Sequence, residues 1–304
     1  MNAFAEELLQ AIAGKNAPVC VGLDPIYEKL PAALKRGDDL ESRCNALLEF
    51  GKGVIEAVRE HAAAIKINIA FFEPYGPAGL EVYLRLVREA HAGGLLVIGD
   101  IKRADIGHTS GQYAAAHLST GLGAADEASV ADAVTINPYF GSDGVKPFID
   151  LARQSGRGVF VLVQTSNESA SQVQGLTLPD GLTVCQHVAR LVQDWAAADG
   201  MVGPSGYSCV GAVVSPRDVP STIRIRELMP NCIFLVPGFG AQGRTAEEVA
   251  KCFKADGTGA IVAASRSVIF AYDEPDHRHH TGDWRKCVRK ACEQFAAQVR
   301  GVIG

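Results

Sequence analysis

Two aspartates and one lysine lie close together in the segment DIKRAD, residues 100–105. Asp100 and Lys102 are two positions apart, so their side chains share a face if both belong to one β-strand. Asp105 completes the segment. Buried charges are costly unless they are paired, and a lysine held between carboxylates stays protonated because opposite charge favours the charged form. Such a lysine is a poor Schiff-base nucleophile, but it can stabilise a carbanion and then protonate it.

Asp24 and Lys66 are candidates for the same group of charges. Lys66 interrupts the apolar segment AAAIKINIAFF (62–72), where a lysine is rarely placed for solubility. Asp24 directly follows the apolar run VCVGL (19–23). A solvated surface segment is the alternative interpretation of the D-x-K-x-x-D motif. Because the motif lies at the end of a strongly apolar run, we favour a buried and paired arrangement.

A glycine-rich segment and an arginine are candidates for a phosphate site. The segment PGFGAQG (237–243) contains three glycines, and backbone N–H groups in such a loop can face an anion. Arg266 follows the next apolar run and can hold a phosphate with its planar guanidinium group. A glycine-rich loop alone more often only makes a turn, so the pairing with Arg266 carries this prediction.

Eight short apolar runs recur along the chain, and we interpret each as a β-strand. The runs are nearly continuous rather than alternating, which is typical of parallel strands covered on both faces. The predicted strands are residues 19–23, 64–69, 95–100, 132–137, 159–164, 209–214, 233–238 and 260–265. Segments with helical spacing lie between them, at 46–61, 79–94 and 183–200. This alternation predicts an α/β fold, a (β/α)8 TIM barrel.

A doubly wound open sheet is the rival fold, but no G-x-G-x-x-G turn follows the first run. Catalytic residues of barrels lie at the C-terminal ends of the strands, because the loops that follow the strands converge there. Polar residues at or just after the predicted strand ends include Asp24, Asp100, Asn137, Gln164 and Ser265. We therefore expect one barrel domain over residues 1–304, with helical extensions at both termini and one site at its open end.

The charge balance argues against some classes of partner. The chain has 29 basic and 34 acidic residues and a net charge of −5. This disfavours a general binder of nucleic acid or of an anionic membrane, but it permits one local basic pocket. No apolar run reaches the roughly 18 residues that a membrane-spanning helix needs. Glu6 and Glu7 lie where a secretory signal would carry basic residues, so we predict an amphipathic N-terminal helix of the mature protein.

The eight cysteines include no C-x-x-C pair, and several lie in apolar runs. We expect reduced, buried thiols in a cytoplasmic protein. The segment HRHH (277–280) lies in a turn-like region, and we interpret it as a solvated loop rather than a metal site. Residues 168–182 form another predicted loop, which either folds over the site or only connects two elements.

The segment DIKRADIGHTS (100–110) resembles the active-site signature of the orotidine 5′-phosphate decarboxylase family, D-x-K-x-x-D-I-G-x-T. The D-x-K-x-x-D part is shared with related sugar-phosphate decarboxylases and aldolases, so the I-G-x-T extension, Lys66 and the pairing of GAQG with Arg266 make the resemblance specific. Further segments resemble the longer bacterial-type branch of this family and spread over most of the chain: VGLDP, IKINIAFFEPYG, TINPYFG, TSN, VPGFGAQG and SRS.

The resemblance implies a reaction and a role for each charged residue. The reaction is the conversion of orotidine 5′-phosphate to UMP and CO2, without a metal or an organic cofactor. Lys102 would protonate C6 of the pyrimidine, and Asp100 would lie beside the substrate carboxylate. Asp24 and Lys66 would bind ribose hydroxyls, with Lys66 also joining the chain of charges.

The resemblance also implies a homodimer and contacts to the rest of the substrate. Asp105 and Thr109 would reach across the dimer interface into the neighbouring active site. Asn137 lies in the region that contacts the base. Gln242 would bridge phosphate and base, and Arg266 would bind the phosphate.

The sequence departs from the family pattern at Ser110, where small apolar residues are more usual, and at Gln164, where the branch varies. Arg244 stands where another glycine is common, and it would either add a phosphate contact or face solvent. Two other functions stay open at this point. One is a phosphosugar aldolase that uses Lys102 or Lys66 as a Schiff base. The other is a barrel that binds nucleotides without turnover.

Overall fold

The computed structural model describes residues 3–120, 126–238, 246–273 and 283–303. Eight parallel strands form a closed barrel in chain order, and the last strand pairs with the first. The predicted (β/α)8 fold and all eight predicted strands are confirmed. The strands are β1 (Val19–Leu23), β2 (Ala64–Asn68), β3 (Leu96–Arg103), β4 (Ala133–Ile136), β5 (Gly158–Gln164), β6 (Val210–Val214), β7 (Phe234–Pro237) and β8 (Ala260–Ala264).

Helices connect the strands and cover the outside of the barrel. Those described are α1 (Ala3–Lys15), α2 (Leu40–Val58), α3 (Gly76–Ala92), α4 (Gly107–Leu118), α5 (Ser142–Ser155), α6 (Ser171–Gln174), α7 (Val184–Ala196), α8 (Val219–Leu228), α9 (Ala246–Ala250), α10 (Arg266–Ile269) and α11 (Trp284–Ile303). In the described part of the chain, no helix combines the length and apolar character that crossing a membrane requires.

Helix boundaries follow local capping chemistry more closely than the apolar pattern. Helix α2 begins six residues before the predicted residue 46, because the Asp39 side chain accepts a hydrogen bond from Ser42 N–H and caps it. Helix α7 begins with a capping box, in which Thr183 and Gln186 exchange side-chain and backbone hydrogen bonds. It ends at Ala196, before the predicted residue 200.

Helix α1 closes the N-terminal end of the barrel, so the open end is the one that carries the C-termini of the strands. The predicted N-terminal helix is confirmed, and its Phe4 and Leu8 are buried in the same apolar cluster as interior strand residues. Phe4 packs edge-on against Phe160 of β5 at a centroid distance of 5.8 Å. Gly158 permits this approach, because a Cβ there would lie 2.2 Å from the Phe4 ring.

Strand β3 runs beyond its predicted end at residue 100 and contains a bulge. Gly99 pairs with Val134 of β4, but the next pair joins Arg103 to Ile136, so the strands lose register between them. Within the bulge, the backbone of Lys102 has φ = 45°, in the left-handed region. The strict alternation assumed for the D-x-K pair is therefore wrong here, and its two side chains meet through the bulge instead.

Candidate active site

Asp100 is the centre of the charged cluster and is only 6% exposed. Lys66 Nζ donates a hydrogen bond of 2.7 Å to its Oδ2. Lys102 Nζ donates to its Oδ1, and the Thr135 hydroxyl donates to the same oxygen at 2.7 Å. Three donors on one carboxylate, two of them cationic, satisfy a charge that would otherwise be costly to bury.

These contacts fix the protonation of two groups. Burial alone would raise the pKa of the Asp100 carboxyl, but the ammonium groups of Lys66 and Lys102 hold that pKa well below its ordinary value. Burial would lower the pKa of Lys66, yet Asp100 and then Asp24 raise it above its ordinary value. At neutral pH, Asp100 is anionic and Lys66 is cationic, so Lys66 is unsuited to forming an imine.

Asp24 lies beside this cluster at the end of β1 and keeps one oxygen available. Its Oδ2 accepts a hydrogen bond of 2.6 Å from the Ser265 hydroxyl, which follows β8. Its Oδ1 is 3.8 Å from Lys66 Nζ, is buried, and accepts no hydrogen bond from the described residues. Buried polar atoms are normally satisfied, so Asp24 Oδ1 is a candidate acceptor for a ligand hydroxyl.

Lys102 is positioned between the buried carboxylate and the open end of the barrel. Its side chain is 49% exposed although its Nζ contacts Asp100. A primary ammonium group has three N–H donors, so one contact with Asp100 leaves others for a bound molecule. The arrangement supplies a fixed cation that also carries a transferable proton.

Asp105 and Thr109 do not join this cluster within one chain. Asp105 Oδ1 accepts a 2.8 Å hydrogen bond from the next residue, Ile106 N–H. No ion pair between Asp105 and Lys102 occurs among the residues that the structure describes. Thr109 lies exposed in the first turn of α4. Both residues are at the rim of the barrel and are accessible to a second molecule.

Some of the residues predicted to contact the base and the phosphate lie within the part of the chain that the structure describes. Asn137 follows β4, is exposed, and accepts a 3.0 Å hydrogen bond from Tyr139 N–H. Arg266 is the exposed first residue of α10, two residues after the end of β8. Gln242 and Arg244 lie outside the described residues, as does the segment HRHH (277–280).

Two residues where the sequence departs from the family pattern make structural contacts. Ser110 is fully buried, and its hydroxyl donates a 2.6 Å hydrogen bond to Gly144 O of α5. The Gln164 side chain is also buried and donates a 2.6 Å hydrogen bond to Ser215 O, which ties the ends of β5 and β6 together. Neither contact touches the charged cluster.

Thr135 is a residue of the site that the sequence pattern does not predict, although it lies in the segment TINPYFG. It is 1% exposed, its hydroxyl donates to Asp100, and its oxygen accepts the Lys102 backbone N–H at 3.1 Å. A threonine in a buried strand is ordinary, because β-branched residues favour strands. The available signal was a hydroxyl in the apolar run of β4, next to the strand that carries the aspartate and the lysine.

The chain is similar to proteins of one family over nearly its whole length. A family model described as orotidine 5′-phosphate decarboxylase / HUMPS family matches residues 17–277. The protein named orotidine 5′-phosphate decarboxylase from Rhodopirellula baltica is 38% identical and aligns over 99% of this chain and 100% of its own. The protein of that name from Caldicellulosiruptor saccharolyticus is 35% identical, with 99% of both chains covered.

The similarity to a solved structure extends to the fold. The structure of Leishmania donovani OMP decarboxylase is similar with a TM-score of 0.74 and 28% sequence identity. The match covers 99% of this chain and 98% of that one. The similarity therefore includes the whole barrel as well as the strand ends that carry the charged cluster.

Proposed function

The chain belongs to the orotidine 5′-phosphate decarboxylase / HUMPS family, and from this membership we propose that it converts orotidine 5′-phosphate to UMP and CO2. This carboxy-lyase reaction is the final step of de novo pyrimidine nucleotide biosynthesis. The observation that carries the proposal is the buried Asp100 carboxylate with Lys66 on one oxygen and Lys102 on the other. We assign residues 1–304 to a single barrel domain.

The reaction breaks the bond between C6 and the carboxylate carbon and leaves an electron pair on C6. This pair lies in the plane of the ring and is poorly delocalised, so its stabilisation must come from nearby charge. The Lys102 ammonium supplies that charge, and a fixed charge in a water-poor site is worth more than in bulk water. A proton then moves from Lys102 Nζ to C6, and solvent reprotonates the amine.

The other members of the cluster position Lys102 and bind the ribose. Asp100 fixes the Lys102 ammonium and lies where the substrate carboxylate binds. Asp24 Oδ1 and Lys66 bind ribose hydroxyls, and the buried oxygen of Asp24 without a described partner supports this assignment. The protonation of Lys66 also favours this chemistry over a Schiff base on the same side chain.

The phosphate and the base complete the binding site. Arg266 binds the phosphate together with Gln242, which also reaches the base, and Asn137 lies on the base side. The position of Arg266 just beyond the end of β8 supports this assignment, since barrels often hold phosphate near the loops after strands seven and eight. Binding energy from the remote phosphate is available to lower the barrier at C6.

Replacement of Arg266 by alanine is expected to lower kcat/KM by about 100-fold, because the substrate phosphate loses a pair of charged hydrogen bonds. Added guanidinium ion should restore part of this loss, because it replaces the missing cation. Steady-state kinetics measure both effects. Arg59→Ala is the matched control, since Arg59 forms a surface ion pair with its exposed neighbour Glu60. An unchanged kcat/KM in Arg266→Ala excludes Arg266 from phosphate binding.

The active site is shared between two copies of the chain, with Asp105 and Thr109 reaching into the neighbour. Exposed apolar side chains at the same rim support a homodimer. Tyr139 is 82% exposed, Ile106 52% and Phe140 50%. Large apolar side chains that cluster at a surface are typical of an interface.

Mixing Asp105→Ala with Lys102→Ala should restore activity, although each variant alone has little. A mixed dimer contains one site with both mutations and one site with neither, so about half of the mixed dimers' sites are expected to be intact if sites are shared. The mixture is assayed after subunit exchange that native mass spectrometry has verified. Verified mixed dimers without recovered activity would show that Asp105 acts within its own chain.

We place the enzyme in the cytoplasm and assign it no metal and no organic cofactor, as the family resemblance implies. All eight cysteines are buried as thiols, which supports a reducing compartment. The test is a decarboxylation assay on the purified chain after dialysis against EDTA. We expect loss of the orotidine 5′-phosphate absorbance and no borohydride-trapped adduct. A trapped imine would indicate aldolase chemistry, and binding without loss of absorbance would indicate a non-catalytic barrel.

A further inference from the structure

We propose that Thr135 is a positioning residue that aims Lys102 at the reacting carbon by holding its backbone in the left-handed conformation. This inference rests on the proposed function for its kinetic consequences. Thr135 is 1% exposed and lies on β4, one strand away from the aspartate and lysine of β3. Its hydroxyl bonds Asp100 and the backbone of Lys102, so we assign it a role that acts through these two neighbours.

The contacts of the Thr135 hydroxyl join two groups that the reaction needs. Its oxygen is 2.7 Å from Asp100 Oδ1 and 3.1 Å from the backbone nitrogen of Lys102. The ionised carboxylate can only accept, and the backbone N–H can only donate. The hydroxyl proton must therefore point to Asp100, and the hydroxyl oxygen must accept from Lys102. One side chain thus ties the backbone of the lysine to the carboxylate that its ammonium contacts.

The backbone at Lys102 explains why this tie is needed. Residues that carry a Cβ rarely adopt a positive backbone angle φ, but Lys102 has φ = 45°. The bulge between Gly99 and Arg103 interrupts the ladder to β4, and the Lys102 N–H bonds to a β4 side chain instead of to a β4 carbonyl. Strained backbone of this kind persists when surrounding contacts fix it, and Thr135 makes one of them directly through the Lys102 N–H.

Valine and serine separate the hydroxyl from the shape of the side chain. Thr135→Val keeps the branched shape but removes both hydrogen bonds, which leaves a buried N–H without an acceptor. Thr135→Ser keeps the hydroxyl and loses one methyl group. The matched control is Thr222→Val on α8, because Thr222 is also fully buried and its hydroxyl donates 2.7 Å to Asp218 O, on a different element from the charged cluster.

The kinetic test compares kcat, KM and the exchange of the C6 hydrogen of UMP with D2O. Exchange of the C6 hydrogen is the reverse of the protonation step. Because UMP has no carboxylate at C6, the exchange rate reports on Lys102 alone. Thr135→Val is expected to lower kcat and the exchange rate alike by about 30-fold, with KM nearly unchanged, which corresponds to the loss of hydrogen bonds to charged groups. Thr135→Ser should stay within about threefold of the wild type, since it keeps both bonds.

Thr222→Val should lower only the melting temperature. Equal kinetic effects of Thr135→Val and Thr222→Val would overturn the proposal, and so would a Thr135→Val enzyme as active as Thr135→Ser. If Thr135→Val does not fold, Thr135→Ala is compared with Thr135→Ser under the same criterion.

A crystal structure of Thr135→Val tests the positioning independently of any activity. We expect Lys102 to leave the left-handed region, or its Nζ to move off Asp100. An unchanged Lys102 in that structure would overturn the proposal even if the chain is a decarboxylase. Absence of decarboxylation by the wild-type chain would instead contradict the proposed function, and the crystal structure would still decide the role of Thr135.

Discussion

Replacement of Lys102 by alanine is expected to lower kcat/KM by about 10⁵-fold, the product of losing one electrostatic contact and one general acid. The variant lacks both the cation that faces the developing carbanion and the proton that reaches C6. It should still fold, because the lysine side chain is half exposed and Asp100 keeps its hydrogen bonds from Lys66 and Thr135. Steady-state kinetics and circular dichroism measure these two properties.

Lys52→Ala is the matched control for this substitution. Lys52 forms a partly exposed ion pair of 3.2 Å with Glu89 between α2 and α3. Such a pair contributes at most about 1 kcal/mol to stability, and it has no contact with the charged cluster. A Lys102→Ala enzyme with near-normal turnover would rule out Lys102 as the acid and as the stabilising cation.

Asp100→Asn is the second substitution with a large expected effect. The neutral amide leaves the buried Lys66 ammonium, which is 13% exposed, without its closest counter-ion. Breaking a buried pair costs about 3–5 kcal/mol of unfolding free energy. We also expect kcat to fall by about 10³-fold, since Lys102 loses the group that fixes its ammonium. Thermal denaturation and kinetics measure the two effects.

The pH dependence of this destabilisation has a defined sign. Lys66 and Lys102 lower the pKa of folded Asp100 below its unfolded value of 3.8, so its stabilisation is fully present above that pH. This stabilisation is lost as the pH falls through the lower pKa that Asp100 has in the folded protein. The difference in melting temperature between wild type and Asp100→Asn should therefore be large at pH 7 and shrink under strongly acidic conditions.

Asp126→Asn is the control, because Asp126 is exposed and pairs with Arg88 at the surface, away from the charged cluster. The control should show little difference in melting temperature from wild type at neutral pH. Equal melting temperatures of Asp100→Asn and wild type at pH 7 would contradict the buried pairing.

The fold could be predicted because parallel strands that are covered on both faces leave a strong signal. Each of the eight runs is predominantly apolar, and the polar residues at or after their ends mark the open end of the barrel. The end of β3 could not be predicted, since the bulge between Gly99 and Arg103 depends on contacts with β4. Helix α2 begins earlier than its apolar pattern predicts for a local reason, because the Asp39 side chain caps it.

The sequence could predict which charged residues form the cluster, but it could not predict which atoms contact each other within it. Lys66 and Asp100 stand out because charges are rare within apolar runs. The hydroxyls of Thr135 and Ser265 do not stand out in sequence, although each donates a hydrogen bond to an aspartate of the site. Their importance comes from which strands are neighbours in the closed barrel.

The central claim is that Lys102 delivers a proton to a carbanion formed at C6 by loss of CO2. The most direct measurement is product analysis after turnover of carboxyl-labelled orotidine 5′-phosphate in D2O with EDTA present. We predict one labelled CO2 for each UMP and one deuterium at C6, with no measurable amount of either product from Lys102→Ala over the same time. Consumption of substrate without labelled CO2, UMP without deuterium at C6, or the same products from Lys102→Ala would contradict it.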